Sequence, residues 1–285
     1  MTSTLTRSLT AFLSIIALVG TSGCKLDFLV FDPTRQSEYR FPTEVVPESL
    51  RTLITFPSGG ETIHGVHLRR PGVGPRLTVL LSHGKGGDIS RPMEWKRAEA
   101  IWQAGYDVVA YDYRGYGKST GSTTGEPSLL ADARAALAYT IALPGVSART
   151  LVLYGHSLGG VPTTALASTF GRTSDALRGV VLESSFASGA AMARTATILD
   201  IPGKWLIDGR YDNVGRLADI HAPILILAGS EDIQVPRAQT DELYARANAP
   251  KRLQIVTGAV HDDIPSKLGS TAFASLLRTL TAPLP

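Results

Sequence analysis

Six short apolar runs in this chain end at residues able to carry chemistry, and the first three are each followed by a stretch with helical spacing. LTVLLSHG precedes SRPMEWKRAEAIWQAG, YDVVAYDYRG precedes EPSLLADARAALAYTIAL, and TLVLYGHS precedes LGGVPTTALASTF; GVVLESSF, PILILAGSED and LQIVTGAVHDD follow. Each run is apolar at successive rather than alternate positions, the pattern of strands buried on both faces of a parallel sheet. The helical stretches supply the crossovers that parallel neighbours require. Ahead of them, LRTLITF and ETIHGVHLRR, separated by PSGG, predict an antiparallel hairpin. The fold class is therefore α/β: a mostly parallel, doubly wound sheet led by a hairpin. In such sheets ligands bind beyond the carboxyl ends of the strands, so function is sought where each run stops.

The chain has 285 residues, 44% of them hydrophobic and 19% charged, enough to bury one large core. No Pro/Gly/Ser-rich linker divides it. Its formal charge of +3 arises from 28 scattered basic residues without a basic run, which points away from nucleic acid. A single cysteine, Cys24, excludes an intramolecular disulfide and a cysteine-based metal cluster. His64 and His67, three apart on a strand, face opposite sides and lack a third ligand, so neither a metal nor an organic cofactor is expected.

Residues 1–23 have the layout of a signal peptide: one Arg, the apolar AFLSIIALVG, then small residues up to Cys24. The segment is too short to span a bilayer stably. Its end, TSGC, resembles the lipobox of bacterial lipoproteins, which implies lipid on Cys24 and an exported protein anchored to a membrane. The alternative is cleavage between Gly20 and Gly23 by ordinary signal peptidase, giving a secreted or periplasmic product. Residues 24–47 read as an irregular lead-in, and residues 48–285 as the folded domain.

Gly155-His156-Ser157-Leu158-Gly159 matches G-x-S-x-G, in which a sharp strand-to-helix turn exposes the serine hydroxyl at the carboxyl edge of a sheet. Gly117-Lys118-Ser119-Thr120-Gly121 matches equally well, so context decides. Ser157 follows TLVLY directly and precedes a helical stretch, whereas Ser119 trails its strand by several residues and enters the turn-rich STTGEP. Nor is GYGKST a phosphate loop, because Asp112 stands where such a loop needs glycine.

A serine hydroxyl needs a base, and the base needs an acid to hold its tautomer. Of six histidines only His261 ends a late strand. The candidate acids are Asp232, Glu183 and the pair Asp262 and Asp263; the pair adjoins the histidine itself and has difficulty reaching back to its ring. Asp232 keeps the chain order serine, acid, histidine, with Glu183 in reserve. Two backbone donors are expected for a developing oxyanion: the N–H of Leu158 at the helix entry, and that of Lys85, with Gly86 as the alternative, in the glycine-rich HGKGGD. His83 is expected to pin that loop.

These residues together resemble the α/β-hydrolase superfamily, in its serine-hydrolase branch with a small cap. LSHGKGGD resembles the oxyanion loop, YDYRGYGKSTG the loop after the next strand, YGHSLGG the elbow, GSEDIQVP the acid loop and GAVHDDIP the histidine loop. The similarity runs from Arg51 to the C terminus in the family's order. It implies Ser157 as nucleophile, Asp232 as acid and His261 as base, and a loop-building part for Tyr113, Arg114 and Tyr116. A short cap is expected at about residues 188–220, where Ile198, Ile201, Trp205, Leu206 and Ile207 either line an apolar cleft or cover the domain's own core. The expected activity is cleavage of small-molecule acyl substrates, carboxylic esters first and thioesters or amides second, through an acyl-enzyme. The alternative is a noncatalytic binding or scaffold lipoprotein on a retained fold.

Overall fold

The structure, a computed structural model, describes residues 30–42, 44–72, 76–171, 176–196 and 209–282. The signal-peptide segment, Cys24 and the five apolar cap residues Ile198, Ile201, Trp205, Leu206 and Ile207 lie outside the described residues.

Eight strands form the main sheet: β2 (Arg51–Ser58), β3 (Glu61–Leu68), β4 (Thr78–Ser82), β6 (Asp107–Tyr111), β7 (Leu151–His156), β8 (Gly179–Glu183), β9 (Ile224–Gly229) and β10 (Lys251–Val256). Their spatial order is β10-β9-β8-β7-β4-β6-β3-β2. The β2–β3 hairpin is antiparallel and β3 also meets β6 antiparallel, while every pairing from β6 to β10 is parallel. β4, β7, β8 and β9 are buried at every position, as their continuous apolar runs require. Edge strand β2 instead alternates, burying Ile54 and Phe56 and leaving Leu53 60% exposed.

The period-two alternation of side chains divides the interior into two cores. Leu80, Val109, Leu153, Val180 and Ile226 face α2 (Glu126–Ile141) and α3 (Gly160–Ala167). Val79, Leu81, Val108, Val152, Val181 and Leu225 face α1 (Pro92–Gln103) and the C-terminal helix (Ile264–Leu280). Each fully buried Leu, Ile or Val contributes about 1.5–3 kcal/mol of transfer free energy. The frame that carries the strand ends is therefore rigid. Among the described residues no helix is long and apolar enough to cross a membrane.

Residues 30–42, read from sequence as an irregular lead-in, are tied down on the domain. β1 (Asp32–Pro33) pairs in parallel with β5 (Gly86–Gly87), and Asp32 N donates to the Lys85 carbonyl at 3.0 Å. Farther along, Gly117 N donates to the Thr34 carbonyl and Gln36 N to the Gly117 carbonyl, both at 2.8 Å, and the Tyr39 hydroxyl bonds the Asp112 carboxylate. The lead-in thus crosses the loops after β4 and β6, at the carboxyl edge of the sheet.

Candidate active site

β7 passes into α3 through one tight 3-10 turn, Ser157–Gly159, and Ser157 sits in the left-handed region at φ 51°. A non-glycine residue is strained there, and the neighbouring backbone must approach closely to hold it. A Cβ on Gly155 would lie 2.4 Å from the Gly159 carbonyl oxygen, and one on Gly159 2.0 Å from that of Ser82. The glycines around Ser157 are therefore steric requirements of the turn.

The loop after β10 brings His261 to this serine, with Nε2 2.9 Å from Ser157 Oγ. The loop after β9 brings Asp232 to the other side of the ring, with Oδ2 2.8 Å from Nδ1. Glu231 N donates to the Ala259 carbonyl at 2.9 Å and ties these two loops together. The second oxygen of Asp232 accepts from the amides of Gln234 and Val235, each at 2.9 Å. Burial by itself would raise the Asp232 carboxyl, yet its hydrogen bond and charge interaction with His261, with those two amides, hold it below the ordinary aspartate value. An ionised Asp232 accepts from Nδ1–H, which leaves Nε2 as the nitrogen that can take a proton from Ser157.

The other candidate acids have different partners. Glu183 is fully buried and bonds the Arg97 guanidinium at 2.7 and 3.0 Å and the Tyr154 hydroxyl. Asp263 accepts from Val260 N at 2.8 Å, and Asp262 lies 3.5 Å from His156 Nε2. Ser119 is buried, donates to the Asp112 carbonyl and accepts from His64 N, both at 2.9 Å, so it pins the loop after β6 to strand β3.

Lys85 and Leu158 both line the cleft with Ser157 and His261. Leu158 lies in the first turn of a helix, where N–H groups have no intrahelical acceptor. In the β4 loop, His83 Nδ1 donates to the Gly84 carbonyl at 2.7 Å. That carbonyl shares a planar trans peptide with the Lys85 N–H, so the contact fixes the direction of this amide as well. Burial keeps His83 below its ordinary value, so it serves this contact as a neutral ring. The Tyr113 hydroxyl donates to the His83 carbonyl and that of Tyr116 to the Lys85 carbonyl, both at 2.8 Å, in keeping with a loop-building part for these tyrosines. Arg114 pairs with Asp132 at 2.7 Å.

The cleft above Ser157 measures about 530 Å³. Val30, Phe186, Met192, Tyr211 and Val235 give it an apolar wall, while Asp32, Lys85 and Arg91 stand at the side of the β4 loop. Among the described residues, His156, His261 and Asp262 form the grouping with ligand atoms close enough for a cation, within 4.8 Å of one another. Both ring nitrogens of His261 are already engaged by Ser157 and Asp232, so a cation there would have to break that relay.

Sequence reading missed four contributors. Val30 and Asp32 come from the lead-in, whose two-residue strand carries no periodic signal. Glu94 and Arg97 lie on α1 and are buried behind the elbow. Opposite charges at i and i+3 beside the apolar Trp95, Ala98 and Ile101 were the one sign that this helix face is not solvated.

A family model described as serine aminopeptidase, S33, matches residues 74–208. An uncharacterized protein of Mycobacterium tuberculosis, Rv2307c, is 30% identical over 277 residues, covering 94% of this chain and 95% of the relative. Alpha/beta hydrolase domain-containing protein 17C of Xenopus tropicalis is 30% identical over 191 residues, covering 67% of this chain and 58% of the relative. Among solved structures, the Pyrococcus furiosus esterase Pf2001 superposes with a TM-score of 0.69 at 17% identity, over 88% of this chain and 97% of that one, which shows a common fold. With its mostly parallel sheet flanked by helices on both faces and these matches, the chain is a hydrolase that belongs to the α/β-hydrolase superfamily.

Proposed function

We propose that this protein is a serine hydrolase that cleaves carboxylic esters through an acyl-enzyme. The observation that carries the reading is the continuous relay from Ser157 Oγ through His261 to Asp232, with both contacts under 3 Å, at the floor of a cleft with an apolar wall. Ser157 attacks the ester carbonyl carbon while its proton passes to His261 Nε2. The tetrahedral oxyanion rests against the N–H groups of Lys85 and Leu158. The bond to the leaving oxygen then breaks as Nε2 returns the proton to the departing alcohol. Water gives a proton to the same nitrogen and attacks the acyl carbon, and collapse frees the acid and reprotonates Ser157. Asp232 holds the tautomer and stabilises the imidazolium throughout.

The same relay favours an enzyme over a noncatalytic scaffold, because a scaffold has no use for a strained serine aligned on an imidazole. Thioesters fit this chemistry, and amides fit it with a poorer leaving group. A second reading is an aminopeptidase. It is favoured by the family model's description and by Asp32, whose carboxylate lines the cleft where it could pair with a substrate's α-ammonium. A panel of p-nitrophenyl esters from acetate to palmitate, run beside thioesters and aminoacyl amides, separates the two. Esters should give the highest kcat/KM, and preferred hydrolysis of aminoacyl amides, lost on Asp32→Ala, selects the peptidase.

Residues 1–23 act in this reading as an export signal, and Cys24 carries lipid. Mass spectrometry of membrane-extracted protein should find an acylated N-terminal cysteine, and an unmodified mature terminus leaves only a secreted form.

A further inference from the structure

Behind the elbow four ionisable side chains are sealed together: Glu94 and Arg97 of α1, His156 at the end of β7 and Glu183 at the end of β8, none more than 4% exposed. Glu94 Oε1 accepts from the Gly84 amide at 3.3 Å and from His156 Nδ1 at 2.9 Å, and its Oε2 accepts from Arg97 at 2.7 Å. Arg97 also donates to both Glu183 oxygens, at 2.7 and 3.0 Å, and to the Asp262 carbonyl at 3.2 Å. His156 Nε2 lies 3.3 Å from the His261 carbonyl oxygen, which also accepts from Ser184 Oγ at 2.9 Å. One helix thereby grips the oxyanion loop through Gly84, the elbow through His156, the β8 end through Glu183, and the histidine loop through two carbonyls.

Stability alone gives no reason for this arrangement. Well-packed apolar side chains in place of a buried ion pair are often neutral or stabilising, whereas removing one partner is costly. What charges supply here is direction: the planar guanidinium fork ties α1 to the end of β8 and to the histidine loop, and each carboxylate oxygen of Glu94 has a set donor. Burial would raise the Glu94 carboxyl, but Arg97 and His156 hold it well below its ordinary value, so the acceptor stays ionised.

We propose that Glu94 and Arg97 are positioning residues that hold the oxyanion loop in register with the histidine loop, and so set the spacing among the Lys85 amide, Ser157 Oγ and His261 Nε2. The proposal rests on the reading of Ser157 and His261 as the reacting pair. Arg97 acts entirely through other groups, and Glu94, which lines the cleft beside Gly84, is only 4% exposed. Misplacement of catalytic groups by about 1 Å costs roughly 10²-fold in rate, the scale on which loosening this grip should be felt.

Arg97→Lys keeps the charge but cannot reach Glu94, Glu183 and the Asp262 carbonyl at once. Glu94→Gln keeps the shape and one acceptor and provides a milder variant should the first fail to fold. Both are assayed on a soluble p-nitrophenyl ester, with kcat expressed per fluorophosphonate-titrated site and folded fraction followed by circular dichroism. Arg97→Lys should lose about 10- to 100-fold in kcat with KM nearly unchanged, Glu94→Gln a smaller loss of the same kind, and Lys96→Ala on the exposed face of the helix neither. Unchanged kcat per titrated site in the folded Glu94→Gln protein, whatever its stability, overturns the proposal. Failure of wild-type Ser157 to react with the probe would instead overturn the underlying assignment of the serine.

Discussion

Asp232 Oδ2 and His261 Nδ1 stand 2.8 Å apart, although 29 residues and two β-strand termini separate them in sequence. Glu183 sits at the end of the adjacent strand, but its carboxylate is turned into the buried Arg97 pair. Asp232→Asn should keep the shape and favour the wrong tautomer, lowering kcat by about 10⁴ with the fold intact. Glu183→Gln leaves Arg97 undercompensated and should lose about 3 kcal/mol of stability, with at most the roughly 10- to 100-fold loss in kcat expected of a loosened Arg97 grip. Steady-state kinetics beside urea unfolding measures both. The reverse pattern would place the acid on β8.

Lys85 should matter through its backbone. Lys85→Ala should cost little, while Lys85→Pro removes the proposed oxyanion donor and should lower kcat by about 10² or more. Equal losses in ester turnover would mean that the side chain takes part and the amide does not.

The depressed Asp232 carboxyl has a pH signature. Its folded value lies below the unfolded one, so its stabilisation is fully present above the ordinary aspartate value and is lost as pH falls through the lowered one. The stability advantage of wild type over Asp232→Asn should persist down to about pH 4 and disappear below it. Urea midpoints across that range check this, and an advantage that already vanishes near neutrality contradicts it.

The lead-in should contribute to turnover through the loop it braces. The Tyr116 hydroxyl donates to the Lys85 carbonyl and accepts from Asp32 N at 3.2 Å. Tyr116→Phe should cost about 1 kcal/mol of stability and lower kcat more than it changes KM. A change in KM alone would mean that the contact shapes the cleft without holding the β4 loop.

What the sequence disclosed and what it hid follow from the range of the interactions. Strands β4, β6, β7, β8 and β9 were legible because burial on both faces demands unbroken apolar runs, and the elbow because its glycines answer a steric need within five residues. Glu183 closes one apolar run and Asp232 lies just past another, so their local sequences could not rank them; chain order favoured Asp232, and only the geometry shows which carboxylate faces His261. Arg97 and Glu183 are 86 residues apart, and charges on a helix ordinarily signal a solvated face, so their pairing left no local trace. The lead-in is ordered by backbone bonds to Lys85 and Gly117, which no side-chain pattern records.

The account stands most directly on Ser157. Wild-type protein treated with a fluorophosphonate and mapped by peptide mass spectrometry should carry one label, on Ser157, and Ser157→Ala should lose both the label and about 10⁶-fold of kcat. Label on Ser119, or a folded protein that hydrolyses esters without labelling at Ser157, would contradict it.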